Sequence, residues 1–224
     1  MKIGPPPVIA IDGPSASGKG TVARAVADAL GFHFLDSGAL YRLVALAASE
    51  RALNLESASD IAGIARNLNV KFGDDAIWLD GRDVTNAIRE ERVSGAASKV
   101  AALEPVRQAL IDRQRAFRQP PGLVADGRDM GSVVFPDAIL KIFLTADAEE
   151  RARRRYKQLM AKGLSANMGA LLQEIRDRDA RDMKRATAPL QKGADAIELD
   201  TTGMSVDAAV AQIVARYKRA NPAP

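Results

Sequence analysis

The chain has 224 residues, 47% of them hydrophobic and 27% charged, which fits one globular domain with room for an insertion rather than a disordered chain. It contains no cysteine and one histidine, which excludes disulfides and thiolate metal sites and leaves hard, oxygen-bound ions as the expected metals. No apolar run approaches the roughly 20 residues of a membrane helix, and no signal-peptide core is evident, so we expect a cytoplasmic protein without a membrane partner.

The first predicted element is a short apolar strand, Val8 to Ile11, which enters a glycine-rich loop and leaves it as a helix. Gly13 and Gly18 enclose four residues directly before Lys19, which is the spacing of a phosphate-binding loop. In such loops backbone N–H groups and a helix N-terminus surround a phosphate, and the lysine reaches the terminal phosphates. A plain glycine-rich turn is the alternative, but the strand–loop–helix context favours phosphate binding. The candidate loop residues are Gly13, Pro14, Ser15, Ala16, Ser17, Gly18, Lys19, Gly20 and Thr21.

Strand and helix continue to alternate after the loop. The first helix should end near Leu30, and a second strand, residues 32–35, follows and ends at Asp36. Ser37 is a candidate cap for the next helix, and Arg42 lies in its first turns, close to the carboxyl end of the strand. This alternation is typical of a parallel sheet with helical crossovers.

Between about residues 54 and 100 the pattern changes. A helix around 57–68 leads into two short strands, 70–72 and 77–79, and Asp80-Gly81 is a turn signal. Short strands joined by tight turns pair antiparallel, unlike the buried strands elsewhere in the chain. We therefore predict an inserted subdomain at about 54–100.

The chain then returns to helices and buried strands. A helical tract over 93–118 should break near Pro105, because the residue before a proline disfavours helical geometry. Further strands are predicted at 123–126, 139–144 and 196–199, and the continuous apolar character of the second suits burial on both faces. The predicted fold class is α/β, with five core strands in a parallel sheet.

Residues 151–185 form a basic segment, with eleven Lys or Arg against four Asp or Glu. Such an excess favours an anionic ligand. The only aromatic residue of the segment is Tyr156, so a base-stacking surface for nucleic acid is poorly supported. A solvated helix face remains the plainer alternative.

Four of the predicted core strands end in an aspartate, at Asp12, Asp36, Asp126 and Asp200. In a parallel sheet these ends share one edge, which is where such folds bind ligands. For Asp12 and Asp200 we favour the ordinary role of a helix cap or turn residue. Asp126 follows an apolar strand, as does the aspartate that holds Mg²⁺ in phosphate-loop enzymes, so we expect a catalytic or metal role there.

Four motifs follow one another along the chain. They are Gly-Pro-Ser-Ala-Ser-Gly-Lys-Gly-Thr at 13–21, Asp-Ser-Gly-Ala-Leu-Tyr-Arg at 36–42, Ala-Asp-Gly-Arg-Asp-Met-Gly at 125–131 and Arg-Asp-Ala-Arg-Asp-Met-Lys-Arg at 178–185. Many kinases share the first, but the set resembles the bacterial cytidylate kinases over nearly the whole chain. Gly20, where most phosphate loops have Ser or Thr, is similar to the Gly-Lys-Gly-Thr ending of nucleoside monophosphate kinases.

The resemblance implies a three-layer P-loop kinase fold over the whole chain, with a five-stranded parallel sheet. The insertion at about 54–100 would bind the nucleoside monophosphate, and the basic segment at about 151–185 would be a helical lid. The implied reaction transfers the γ-phosphoryl group of ATP to CMP or dCMP, with Mg²⁺ as the cofactor. The loop residues would then bind ATP.

Charge neutralisation explains the roles that the resemblance implies for charged residues. Lys19 would span the β- and γ-phosphates. Arg42, Arg128 and Arg178 would clamp the acceptor phosphate, because the planar fork of an arginine can engage two oxygens at once. A purely structural salt bridge is the alternative for each of these arginines. Thr21 and Asp126 would hold Mg²⁺, directly or through water. The implied catalytic residues are Lys19, Arg128 and Asp126. The implied CMP-binding residues are Ser37, Arg42, Ser98, Arg107, Arg128, Asp129, Arg178, Asp182 and Arg185.

The cytosine ring offers one amine donor beside two acceptors, so its pocket needs one acceptor and several donors. At the positions that match the family, Asp129 would accept from the amine, and Arg107, Arg185 and Ser98 would donate. Uracil would place a carbonyl oxygen against the Asp129 carboxylate, which predicts a preference for CMP over UMP. Asp182 would accept from the ribose hydroxyls.

Two other functions stay open on the sequence. A phosphate-loop kinase for a different small acceptor would share the loop, and a nucleic-acid-binding NTPase would use the basic segment. Arg153 and Arg154 are candidate phosphate contacts of a closing lid, although helix periodicity cannot place both inward. No feature demands a dimer, so we expect a monomer that binds ATP and CMP or dCMP and no nucleic acid.

Overall fold

A computed structural model describes residues 4–73, 76–161, 163 and 165–221. Its internal contacts divide the chain into two compact units. The sheet unit comprises the residues up to Leu35 and those from Ala116 onward, and the helical unit is Asp36–Arg115. The chain therefore leaves the sheet unit once and returns to it, as it does around an insertion.

The described ranges contain eight strands and eight α-helices. The strands are β1 (Val8–Asp12), β2 (His33–Asp36), β3 (Val70–Phe72), β4 (Ile77–Leu79), β5 (Arg82–Asp83), β6 (Leu123–Gly127), β7 (Leu140–Thr145) and β8 (Ile197–Asp200). The helices are α1 (Lys19–Leu30), α2 (Ser37–Glu50), α3 (Ala58–Arg66), α4 (Glu91–Val100), α5 (Glu104–Arg115), α6 (Ala148–Ala161), α7 (Met168–Lys184) and α8 (Val206–Ala220). A 3₁₀ turn at Ala87–Arg89 and one π-helical turn at Met130–Val134 complete the regular structure.

The sheet unit is built on a five-stranded parallel sheet in the order β2-β6-β1-β7-β8. β1 is central and pairs with β6 from Val8 opposite Leu123 to Asp12 opposite Gly127. All residues of β1 and β6 are buried, whereas β7 alternates between buried and half-buried residues. Burial on both faces was predicted for β7 and is wrong there, because every second residue is only half-buried. One of these residues, Lys141, pairs with the exposed Asp195.

Helices α1 and α8 pack against each other and cover one face of this sheet. Their apolar residues recur at the three- and four-residue spacing that places them on a single helix face. The Tyr217 ring of α8 meets Phe32 edge-on, with 5.4 Å between the ring centroids. The buried residues of this core are Ile9, Ile11, Val22, Ala23, Val26, Ala27, Val124, Leu140, Ile142, Leu144, Leu199, Ala209, Ile213 and Tyr217.

In the helical unit, α2 packs against α4 and α3 packs against α5. A small antiparallel sheet, β3-β4-β5, completes this unit. The predicted bounds of β3 and β4 are confirmed, but β5 was missed because two residues show no alternation of polar and apolar side chains. The predicted break in the helical tract is also confirmed. Pro105 lies in the first turn of α5, where its missing N–H costs no helical hydrogen bond.

The architecture confirms the predicted α/β class with a five-stranded parallel sheet. The insertion predicted at 54–100 falls within the helical unit. Across the part of the chain that the structure describes, no helix combines the length and the apolar character needed to cross a bilayer.

Candidate active site

Two glycines shape the loop between β1 and α1. Gly13 has φ of +149°, and a Cβ placed on it would lie 2.1 Å from the Leu144 carbonyl oxygen, so no side chain fits there. Gly18 caps the N-terminus of α1 in the left-handed region, with φ of +89°. The loop therefore turns tightly against β7 and leads directly into α1, which is the context that a phosphate-binding loop requires.

Lys19 is the first residue of α1 and is 5% exposed. Its Nζ donates to the Pro14 carbonyl oxygen at 2.8 Å and lies 4.0 Å from Asp126 Oδ1. Burial, together with the positive charge of Arg128, lowers the pKa of Lys19 to about 7, although Asp126 opposes this shift. An anion placed beside Nζ would raise this pKa again, so the position favours an anionic ligand.

One hard oxygen donor, the Asp126 carboxylate, lies beside the loop at the end of β6. Asp126 is buried, and a Cβ on Gly20 would lie 3.3 Å from its Oδ2, so the carboxylate sits against the start of α1. Thr21, which follows Gly20 on α1, is exposed. Among the described residues no group of three or more His, Cys, Asp or Glu is arranged to hold a metal. One carboxylate and one hydroxyl nevertheless fit Mg²⁺, which commonly keeps waters and takes substrate phosphates as its other ligands.

One predicted carboxylate, Asp182, contacts Arg128 and feels the charges of two further predicted arginines. Arg128 Nε donates to Asp182 Oδ2 at 3.0 Å. Burial raises the pKa of Asp182, but the charges of Arg128, Arg178 and Arg185 outweigh burial and hold this pKa below its ordinary value. The charges of Arg128 and Arg178 also reach Lys19. The structure therefore brings six of the predicted residues, Asp126 included, into one electrostatic group of four basic side chains and two carboxylates.

The helical unit carries the other four predicted CMP-binding residues. Ser37 and Arg42 lie on α2, Ser98 lies on α4 and Arg107 lies on α5. Ser37, Ser98 and Arg107 are buried, which is uncommon for polar side chains. The Arg107 guanidinium carbon lies 5.8 Å from the ring centroid of Tyr41. No role was predicted for Tyr41, although it lies next to Arg42 in the second motif, which could have indicated that it belongs to the site.

Two arginines of α6 contact backbone carbonyls of the phosphate loop. Arg151 donates to the Ser15 carbonyl oxygen at 3.0 Å and to Asp179 Oδ2 on α7 at 2.6 Å. Arg154 donates to the Ser17 carbonyl oxygen at 3.0 Å. These contacts hold loop carbonyls toward α6, which stabilises the turn that the loop adopts.

The sequence of the basic segment does not show which of its arginines face the loop. Arg153 is 60% exposed at its side chain and pairs with Glu150 on its own helix. Arg154 points inward and Arg153 outward, as helix periodicity requires. Arg151 was missed, because a run of charges does not show which member is buried.

Strand-end aspartates have different local roles. Asp36, not Ser37, caps α2, since its Oδ1 accepts a hydrogen bond from the Ala39 N–H at 3.0 Å. The predicted cap was therefore one residue late, because the aspartate ends the strand and begins the helix at once. Asp200 accepts from the Thr202 N–H in a turn, which confirms the predicted turn role.

Asp12 is neither a cap nor a turn residue, so the role favoured for it from the sequence is wrong. Its two carboxylate oxygens accept the backbone N–H groups of Met130 and Gly131, each at 2.8 Å. Asp129, the residue before them, is 3% exposed, and its charge contributes to raising the Asp12 pKa. The end of β1 is thus tied to the segment that carries the third motif.

Comparison with known proteins gives a consistent result. A family model described as cytidylate kinase matches residues 9–219. A cytidylate kinase from Cupriavidus necator is 58% identical over 215 residues, which cover 96% of this chain and 97% of that protein. Cytidylate kinases from Nitrosomonas europaea and Burkholderia ambifaria are 56% and 58% identical and cover 97% and 96% of this chain, and 97% and 94% of their own lengths.

Proposed function

Because the chain belongs to the cytidylate kinase family, we propose that it transfers the γ-phosphoryl group of ATP to CMP or dCMP, giving ADP and CDP or dCDP. The observation that carries the proposal is the electrostatic group around Lys19 in the sheet unit. A phosphate loop alone indicates a bound triphosphate, whereas Arg128 and Arg178 beside it provide for a second phosphate.

In the proposed reaction an oxygen of the CMP phosphate attacks the γ-phosphorus of ATP. The new P–O bond forms as the bond to the β,γ-bridging oxygen breaks, and ADP leaves. Little covalent chemistry is left to the protein, which positions the two nucleotides and neutralises their charge. Lys19 would contact the β- and γ-phosphates, and Arg128 and Arg178 would hold the acceptor phosphate, with Arg42 as a further candidate for that role.

We propose Thr21 and Asp126 as the residues that hold Mg²⁺, directly or through water. When bound, the ion would neutralise charge on the β- and γ-phosphate oxygens. The support is the oxygen chemistry of these two side chains and the position of Asp126 against Gly20, whose missing side chain leaves room there.

Base selection is proposed to depend on Asp129 as the acceptor for the cytosine amine. Ser98, Arg107 and Arg185 would donate to the ring nitrogen and carbonyl oxygen, and Asp182 would accept from the ribose hydroxyls. Asp129, Ser98 and Arg107 are all buried, which suits side chains that recognise a base away from bulk water. This arrangement would favour CMP over UMP.

Two segments outside the phosphate loop are proposed to take part in the same reaction. The insertion at 54–100 would bind the monophosphate, and residues 151–185 would act as a lid, supported by the contacts of Arg151 and Arg154 with the loop. These two arginines are engaged within the protein, so the basic segment offers fewer charges to a nucleic acid. The enzyme is proposed to act as a cytoplasmic monomer that binds ATP and CMP or dCMP.

Transfer of label from γ-labelled ATP to CMP tests the proposed function. Wild-type protein should form labelled CDP, and Lys19→Ala should lower kcat by about 100-fold or more, as expected when a charge-stabilising donor is removed. Lys218→Ala, at an exposed position of α8, is the matched control and should retain full activity.

Two results would contradict this account. Wild-type protein that forms no CDP would refute the proposed function itself. A Lys19→Ala variant that folds normally and transfers phosphate at the wild-type rate would refute the role given to the loop lysine.

A further inference from the structure

Asp12 makes a contact that joins two distant parts of the chain. It is the last residue of β1, directly before Gly13 of the phosphate loop, and is 8% exposed. Its Oδ1 accepts from the Met130 N–H and its Oδ2 from the Gly131 N–H, across separations of 118 and 119 residues. A carboxylate that accepts with both oxygens fixes the orientation of the segment as well as its distance.

The segment held in this way lies beyond the end of the sheet ladder. Pairing of β1 with β6 ends where Asp12 stands opposite Gly127, so Arg128 and Asp129 have no partner strand on β1. The backbone then enters the π-helical turn at Met130–Val134. Where the backbone ladder ends, the Asp12 carboxylate therefore accepts the next hydrogen bonds between β1 and this segment.

Packing restricts the same segment. A Cβ on Gly131 would lie 3.4 Å from the Ala10 Cβ and 3.1 Å from the Lys141 side chain, so the turn lies close above the sheet. A small shift of Met130 or Gly131 would therefore be passed to the residues just before them. Those residues are Arg128 and Asp129, the proposed phosphate clamp and base acceptor.

We propose that Asp12 is a positioning residue for phosphoryl transfer and base selection, acting through the backbone of Met130 and Gly131 to fix Arg128 and Asp129 relative to the phosphate loop. The inference rests on the proposed function for the roles of Arg128 and Asp129. The contact itself does not depend on that function.

Asp12→Asn tests this role with the smallest change in shape. The amide has one acceptor oxygen, and its NH₂ group faces a second N–H donor, so one of the two hydrogen bonds is lost. We expect kcat with CMP to fall by about tenfold, because a loosened segment misplaces Arg128 relative to the phosphate loop. The ratio of kcat/KM for CMP over UMP should fall as well, and KM for ATP should stay near its wild-type value.

Amide hydrogen exchange gives a readout that is independent of catalysis. Exchange at Met130 and Gly131 should be faster in Asp12→Asn than in the wild type. Asp200→Asn is the matched control, since Asp200 is another strand-end aspartate but is exposed in a turn. It should leave both the kinetics and the exchange at Met130 and Gly131 unchanged.

The proposal is overturned if folded Asp12→Asn keeps the wild-type kcat and CMP-to-UMP ratio, even with faster exchange, since Asp12 would then be merely structural. If Asp12→Asn does not fold, Asp12→Ser replaces it with a shorter single acceptor, and the same kinetic result is required. Wild-type protein that phosphorylates no CMP would refute the proposed function before any variant is compared. The exchange measurement would then decide whether Asp12 holds the segment.

Discussion

The carboxylate of Asp129 is 3% exposed, and a buried acceptor of this kind discriminates strongly between a donor and an acceptor presented to it. We predict that Asp129→Ala lowers kcat/KM for CMP by about 10- to 100-fold, the effect of losing a hydrogen bond to a charged group. The loss for UMP should be smaller, because its carbonyl gains nothing from the carboxylate. Steady-state kinetics with both acceptors would measure the change in their ratio.

Asp137 offers a control for this substitution in the chain between β6 and β7. It is exposed and pairs with Arg118, whose side chain is 18% exposed. Since Asp137 has no proposed role in recognising the base, Asp137→Ala should leave the acceptor ratio unchanged. An Asp129→Ala variant with the wild-type CMP-to-UMP ratio would exclude that carboxylate from base recognition.

Titration of Asp12 should also make the free energy of unfolding depend on pH. Burial raises its pKa from 3.8 to about 7, against the two backbone N–H groups that lower it. Between these two pKa values, Asp12 is protonated in the folded protein and ionised in the unfolded chain. Stability from this group is therefore greatest at acid pH and declines as the pH rises from about 4 to about 7, by at most about 1.4 kcal/mol per pH unit.

Urea unfolding at several pH values would measure this decline. The free energy of unfolding of the wild type minus that of Asp12→Asn should fall as the pH rises through this window and level off above it. A difference that stays constant, or that grows with pH, would show that the Asp12 pKa is not raised in the folded protein.

Among the elements, α6 carries one buried arginine that pairs with a carboxylate of α7. Arg151 pairs with Asp179, and the two side chains are 7% and 12% exposed. Asp179 Oδ1 is buried with no hydrogen-bond partner among the described residues, so this carboxylate depends on the arginine. We predict that Arg151→Ala destabilises the protein by about 3–5 kcal/mol, because it leaves an uncompensated buried charge.

Arg153 is the matched control on the same helix. Its exposed pair with Glu150 should contribute at most about 1 kcal/mol, so Arg153→Ala should unfold near the wild-type urea midpoint. Combining Arg151→Met with Asp179→Leu should recover most of the lost stability, since it removes both charges. Equal midpoints for Arg151→Ala and Arg153→Ala would contradict the importance given to the buried pair.

Elements with a strong local pattern could be predicted from the sequence. The observed ends of several strands differ from the predicted ends for a physical reason. The apolar runs located the core strands, but β1, β6 and β7 each extend one residue past the predicted run. Ladder hydrogen bonds use backbone groups, so a polar residue still pairs where the apolar run has stopped. Asp12 opposite Gly127 and Thr145 opposite Asp200 are such pairs.

Long-range side-chain contacts could not be predicted in the same way. Nothing in the local pattern of β1 indicates that Asp12 would accept from amides 118 residues later. The choice of Arg151 as the buried arginine likewise depends on where α7 places Asp179. The candidate site was predictable mainly through its motifs, which name residues without showing which contacts hold them in place.

Each of the two compact units contains residues that have proposed roles in the reaction. The sheet unit contains the phosphate loop, Asp126 and the group of Arg128, Arg178 and Asp182. The helical unit contains the remaining candidates, with Arg107 beside Tyr41. The sheet unit alone would account for a triphosphate and an acceptor phosphate. The buried candidates for base recognition are Asp129 in the sheet unit and Ser98 and Arg107 in the helical unit.

A coupled assay of ADP release with CMP, dCMP, UMP, AMP and GMP as acceptors would measure the proposed base selection. Turnover with CMP and dCMP should exceed that with UMP by about tenfold or more, since uracil would place a carbonyl against the Asp129 carboxylate in the proposed pocket. AMP and GMP should support less turnover than CMP. A preference for a purine monophosphate, or ADP release that no acceptor stimulates, would contradict the account.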